Sequence, residues 1–330
     1  MTAPALPPVQ YADLGEVRLA YYEVGERTGT PIIFCHGFPE LAYSWRHQLE
    51  ACRAAGRWAI AVDQRGYGGS SRPPKVEDYD IEHLTADLVA LLDHVGAKKG
   101  VFCGHDWGGF VVWSMAIRHP SRTAGVIGVN TPHNDRAPAD PIAIMRNRLG
   151  EQMYIVAFQQ PDEPERVLEA DVEKTMAFFL KRPPEGQAPS AGFASERKPG
   201  DPSVFPLLEI LKVYDPAYDT RPDFLTPAER QVFVDAFKAS GFRGPVNWYR
   251  NFTRNWERSA GLDHHIKGIP CLMITAELDA VLPPSAAAHM GGLIDDLETV
   301  LVEGSGHWTQ QEKPEAVNAF ILDWLRRRIG

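Results

Sequence analysis

"GHDWGG" (residues 104–109) stands between the apolar run "GVFC" (residues 100–103) and the stretch "FVVWSMAIRHP" (residues 110–120). A buried strand thus turns into a helix within a few residues, through glycines that flank one charged side chain, Asp106. The helix is expected over Trp107–Arg118, stopped by His119-Pro120. A bend this tight holds its central side chain outward at the carboxyl end of the strand. Aspartate is also a favoured helix N-cap, so a purely structural reading of Asp106 competes with a catalytic one.

Working outward, apolar runs alternate with amphipathic stretches. "PIIFCHG" (31–37), "WAIAVD" (58–63) and "AGVIGVN" (124–130) read as strands, and residues 42–55 and 81–95 as helices. Continuous apolar strands alternating with helices predict a mostly parallel sheet flanked by helices, with sites gathered at the carboxyl ends of the strands. The alternation breaks at Thr131 and resumes after about Leu262. Helix-like stretches fill the interval, with an exposed loop expected at "RPPEGQAPSAGFASERKPGDPS" (182–203). Then follow a strand at "PCLMITAELD" (270–279), a short helix at 284–291, a strand and loop at "LETVLVEGSGH" (297–307), and a final helix at 314–328. The division is therefore a discontinuous α/β core, residues 1–131 and 263–330, with a mainly helical cap inserted over 132–262.

The 330 residues, 44% of them hydrophobic, suffice for a sizeable core. A formal charge of −9 argues against nucleic-acid or anionic-membrane partners, which need a basic face. No apolar stretch approaches the roughly 20 residues of a membrane span, and the first residues lack a signal-peptide pattern, so a cytoplasmic location is expected. Cys35, Cys52, Cys103 and Cys271 show no CxxC spacing and read as reduced thiols. "DHH" (263–265) lacks metal-ligand spacing, "RGYGG" (65–69) reads as a turn, and His36 and His105 as structural. No cofactor or metal is expected, and the chain is expected to be a monomer or homodimer.

The bend resembles the nucleophile elbow of the α/β-hydrolases, which implies an acid and then a histidine at the ends of later strands. Asp279 ends its predicted strand, and His307 follows the last one; nearby Glu277 competes with Asp279. "CHGFP" (35–39) ends an earlier strand, so the backbone N–H groups of Phe38 and Trp107 would form an oxyanion hole. Their side chains could do no more than line an apolar pocket.

"HGFPE" (36–40), "DQRGYGGSSRP" (63–73), "GHDWGG", "SGFRGPVNWYRN" (240–251) and "GHWTQ" (306–310) resemble segments of the soluble epoxide hydrolases, across essentially the whole chain. The resemblance implies an α/β-hydrolase core with an inserted helical cap, and an aspartate nucleophile. A carboxylate with an ordinary pKa of about 3.9 is ionised at neutral pH and can attack saturated carbon directly. Asp106 would form an alkyl ester, His307 would activate the water that hydrolyses it, and Asp279 would orient His307. The resemblance further assigns Tyr249, in "GPVNWYRN", and Tyr154, in "QMYIVAFQQP", as proton donors to the epoxide oxygen. Here the sequence departs from the family, which often has glycine after that proline where this chain has Asp162. Tyr249 sits among Trp248, Phe252 and Trp256 and could simply pack the cap. The implied substrates are a small lipophilic epoxide and water, in a cavity whose candidate aromatics include Phe158, Phe178, Phe179 and Trp248. Two alternatives stay open: a haloalkane dehalogenase, in which the Trp107 indole would hold the halide, and a binding protein without turnover.

Overall fold

The computed structural model describes residues 5–183 and 202–330. Most of the loop expected at 182–203 lies outside them. Eight strands form one sheet: β1 Gln10–Asp13, β2 Arg18–Val24, β3 Ile32–Cys35, β4 Ala59–Asp63, β5 Gly100–His105, β6 Thr123–Val129, β7 Cys271–Ala276 and β8 Leu297–Val302. Their order is β1-β2-β4-β3-β5-β6-β7-β8, with β1 and β2 antiparallel and the remainder parallel. The first two strands escape a periodicity reading because charged residues interrupt them and β1 is a half-exposed edge.

Successive residues of a strand face opposite sides, and each side has its own core. Ile33, Cys35 and Phe102 pack on one side with the helices α2 (Ile81–Val95) and α3 (Trp107–Arg118). Ile32, Phe34 and Val101 pack on the other, against Leu49 of α1 (Arg46–Ala54). The residues read as one helix over 42–55 divide into a 3₁₀ turn, Ala42–Trp45, and α1. The helix expected at 284–291 is likewise two 3₁₀ turns, Pro284–Ala287 and Met290–Gly292. Proline at the start of that stretch and paired glycines at its end leave too few consecutive helix formers for an α-helix.

The strand order reverses between β3 and β5, where Cys35 lies opposite Gly104. The "HGFP" loop and the Asp106 bend therefore emerge side by side at the switch point, where crossovers diverge and leave a crevice. The helical insertion leaves from β6 and returns to β7, its paired neighbour. It carries α4 (Pro141–Leu149), α5 (Tyr154–Ala157), α6 (Glu163–Glu169), α7 (Val172–Phe179), α8 (Leu207–Val213), α9 (Pro227–Ser240), α10 (Arg243–Arg250) and α11 (Phe252–Arg258). Phe158, Phe233, Phe237 and Trp248 from this cap join the same apolar cluster as Phe102 and Val112 of the core. Trp248 donates its indole N–H to the Arg65 carbonyl at 3.0 Å, and Arg46 pairs with Glu229 of α9 at 2.8 Å. After β8 come α12 (Thr309–Glu312) and α13 (Pro314–Arg328).

Candidate active site

Asp106 adopts φ 51° and ψ −120° between β5 and α3, a conformation that costs a non-glycine residue free energy. The packing around the bend enforces it. A Cβ on Gly104 would lie 2.2 Å from the Gly108 carbonyl oxygen, and one on Gly108 would lie 2.0 Å from that of Cys35. Only glycine lets the helix start so close to β3 and β5. Thr131 Oγ1 donates to the Asp106 carbonyl at 2.7 Å and braces the bend. Asp106 occupies the N-cap position of α3 but makes no side-chain cap hydrogen bond. Its Oδ1 instead accepts the Phe38 N–H at 2.8 Å, and the Trp107 amide also favours its charged form. The two amides expected to form an oxyanion hole thus already converge on the Asp106 carboxylate.

His307 reaches the other oxygen, with Nε2 at 3.8 Å from Asp106 Oδ2. Its Nδ1 lies 2.9 Å from Asp279 Oδ2. A carboxylate only accepts, so Nδ1 carries a proton and Nε2 faces Asp106. Asp279 is fully buried and saturated: Oδ1 accepts the Val281 and Leu282 amides at 2.8 and 2.9 Å, and Oδ2 also accepts Asn130 Nδ2 at 2.6 Å. Burial would raise its pKa, but His307 and these donors hold it far below the usual carboxylate range. Burial likewise works to lower the pKa of His307, yet Asp279 and Asp106 overcome it and push it up to about 9. Burial raises that of Asp106. Glu277, the rival acid, is exposed and accepts the Gly304 amide.

Behind His307 lies a polar group that sequence reasoning missed. His105 is fully buried, with Nδ1 2.6 Å from Glu40 Oε2 and Nε2 2.7 Å from the His307 carbonyl oxygen. Both ring nitrogens of His105 are therefore engaged, one by a carboxylate and one by a backbone carbonyl. Burial would raise the pKa of Glu40, but His105 brings it down to about 2. Gln310 and Gln311 donate to its second oxygen at 2.8 and 3.2 Å. The signal was present in "HGFPE" and "GHDWGG", but nothing in either motif says that Glu40 and His105 meet. His36 is also buried, with Nδ1 on the Gly37 carbonyl, Nε2 accepting the Gln64 amide and its ring edge-on to Tyr67.

Tyr154 begins α5 and Tyr249 lies in α10, their rings 5.7 Å apart. Their hydroxyls interact, and burial raises both pKa values, so both phenols keep their protons at neutral pH. Both side chains line a cavity of about 370 Å³ that also exposes Phe38, Asp106, Asp279 and His307. One cavity therefore joins the carboxylate, the imidazole and two phenolic donors.

The chain matches the α/β hydrolase fold family over residues 30–314. It is 41% identical to epoxide hydrolase A of Mycobacterium tuberculosis, over 97% of each chain. The chain belongs to the epoxide hydrolases of the α/β-hydrolase superfamily. Identity to bifunctional epoxide hydrolase 2 of Mus musculus is 37%, over 95% of this chain and 54% of that protein. The crystal structure of epoxide hydrolase A from Mycobacterium thermoresistibile superposes with a TM-score of 0.85 at 39% identity, covering 97% of this chain and 98% of that one.

Of the cap aromatics considered for the pocket of this epoxide hydrolase family member, Phe178 and Phe179 line it. Phe158 packs against Phe38 and Tyr249 instead, and Trp248 is fully buried. Trp107 packs its ring against Tyr249 and Phe252, its indole N–H donating to the Tyr249 hydroxyl, and lines a second cavity of about 290 Å³. Asp162, the departure from the family pattern, has φ 62°, the left-handed region that explains glycine at this position. It pairs there with Arg243. Among the described residues no group of three or more His, Cys, Asp or Glu is placed to hold a metal ion, and no helix is long and apolar enough to cross a membrane.

Proposed function

We propose that the protein hydrolyses epoxides to vicinal diols through a covalent ester on Asp106, with the cap over residues 132–262 and the core over 1–131 and 263–330 supplying complementary halves of the site. The observation that carries this is the division of the Asp106 carboxylate. Oδ1 sits on the Phe38 amide, while Oδ2 faces His307 in a cavity that also holds two buried phenols. In the resting site His307 is held protonated by the two carboxylates on either side of it.

Asp106 Oδ2 attacks an oxirane carbon, the C–O bond breaks, and the departing oxygen takes a proton from Tyr154 or Tyr249. The proton held by His307 restores the phenol through the cavity. Esterification also removes the negative charge of Asp106, one of the groups that raised the His307 pKa, so the imidazole becomes neutral when a base is needed. His307 then takes a proton from water, and hydroxide adds to the ester carbon. The Phe38 and Trp107 amides hold the resulting oxyanion. Collapse expels the diol oxygen, which takes the carboxyl proton, and regenerates the Asp106 carboxylate and protonated His307. Trp107 is absent from the lining of this cavity and its indole N–H is engaged by Tyr249, which favours this reading over halide binding.

His307→Gln should permit attack and block hydrolysis. Intact mass spectrometry after exposure to a lipophilic epoxide should show an adduct equal to the whole epoxide, because ring opening loses no atoms. Absence of an adduct, in a variant that folds and when the unmodified protein turns the epoxide over, would overturn the ester mechanism.

A further inference from the structure

Tyr154 and Tyr249 sit on different helices, yet two side chains close to them in the chain tie the two backbones together. Gln159, just past the end of α5, donates Nε2 to the Ile155 carbonyl of α5 and to the Tyr249 carbonyl of α10, each at 2.9 Å. Arg250, the residue after Tyr249, reaches back the other way. Its Nε donates to the Phe158 carbonyl at 3.1 Å and its Nη2 to that of Gln160 at 2.7 Å. These carbonyls lie at and just past the end of α5, where a helix has no further amides of its own to offer. The remaining Arg250 donors go to the two carboxylate oxygens of Glu165 in α6, at 2.6 and 2.9 Å, and to Asn247 Oδ1 at 2.9 Å. All five N–H donors of the guanidinium thus meet an acceptor. The Arg250 side chain is 9% exposed and that of Glu165 6%. A buried ion pair is a weak source of stability once its desolvation is counted, so stability alone does not account for this one. Between the two helices the Phe158 ring stands edge to face with both phenols, 5.6 Å from Tyr154 and 5.0 Å from Tyr249.

We propose that Gln159 and Arg250 are positioning residues for ring opening, a clamp that holds the Tyr154 and Tyr249 hydroxyls at the separation from which both reach one oxirane oxygen. Neither side chain lines the catalytic cavity, so each acts through the backbone that carries a phenol. Two donors serve one departing oxygen only if they converge on it within hydrogen-bond range, and a small displacement of either forfeits much of the gain. Asp106, Asp279 and His307 stand on the core, outside the helices that the clamp joins. Breakdown of the ester therefore does not depend on it. This assignment rests on the epoxide-hydrolase reading and places the clamp in the first of its two half-reactions.

Gln159→Met keeps the length of the side chain and removes its donors. Arg250→Lys keeps a charge against Glu165 but cannot meet the α5 carbonyls with a planar fork. Each is placed in the His307→Gln background, and the rate at which styrene oxide or trans-stilbene oxide forms the Asp106 adduct is followed by rapid quench and intact mass. Adduct formation should slow about tenfold in both. With His307 intact, single-turnover decay of the ester should keep its rate. A double-mutant cycle with Tyr154→Phe separates alignment from a general defect. One remaining phenol has no partner to be aligned with, so Gln159→Met should cost less in the Tyr154→Phe protein than in the unmodified one. Should Arg250→Lys not fold, the half-buried Gln159 carries the test through Gln159→Met alone. An unchanged rate of adduct formation, an equal loss in ester breakdown, or a loss that simply multiplies with that of Tyr154→Phe would overturn the clamp and leave epoxide hydrolysis standing. Failure of the unmodified protein to turn over either epoxide, with no adduct in His307→Gln, would overturn both readings.

Discussion

His307 stands between two carboxylates, and in the proposed mechanism it exchanges its proton with the reaction, so the residues that set its basicity would govern the second half-reaction. Asn130, which sequence reasoning passed over, is one of them. It holds φ 63° at the end of β6 and donates to the oxygen of Asp279 that also binds His307. Asn130→Asp keeps the shape but sets a carboxylate against Asp279. Ester breakdown should slow by an order of magnitude or more while ester formation changes less, a difference resolved by single-turnover kinetics against steady-state kcat. At the other end of the site, the proposed mechanism has Tyr154 and Tyr249 stabilise the opening ring. Replacing either by phenylalanine should lower kcat/KM by about a hundredfold, in line with the loss of one preorganised donor. Equal rates in both variants and the unmodified protein would remove the phenols from the mechanism.

Among the elements, α9 ties cap to core through an acid as well as through Phe233 and Phe237, which pack on Tyr43 and Tyr67. Glu229 closes the capping box with Thr226 at the start of α9 and reaches Arg46 at the start of α1, whose side chain is only 1% exposed. Glu229→Leu strands a buried guanidinium and should cost about 3 to 5 kcal/mol in chemical denaturation. The double variant Arg46→Met, Glu229→Leu should recover much of that loss, because no charge is then left unpaired. Element type was legible wherever periodicity ran long: α2 and α3 have the expected bounds, and β3 to β7 are apolar throughout or nearly so. It failed at 42–55 and 284–291, where short stretches settle into 3₁₀ turns, and at β1 and β2, whose exposed polar residues blur the alternation.

For the whole molecule, the charges of the site make stability depend on pH. The folded-state pKa of His307 lies above its ordinary 6.5, at about 9. Its contribution is therefore complete below pH 6.5 and disappears as pH rises through about 9. Asp279 is depressed from 3.8, so its contribution is present above that value and lost as pH falls below it. Thermal unfolding should accordingly show Tm falling between pH 6.5 and 9, a decline that His307→Gln flattens. A slope identical in the variant would mean that other groups govern the alkaline limb.

The sequence by itself determined the layered core, the interruption by helices, and the chain positions of Asp106, Asp279 and His307, because buried strands and tight glycine turns leave local signatures. It also carried the resemblance that named the two tyrosines. Only the tertiary structure decided which partners share those residues. Glu40 and His105, Asn130 and Asp279, and Arg46 and Glu229 are each far apart in the chain and meet only when the sheet closes and the cap is seated. Which aromatics line the pocket was decided at the same level. A buried phenylalanine and a pocket-lining one obey the same hydrophobic pattern, and the packing of neighbouring elements alone determines which one faces the void.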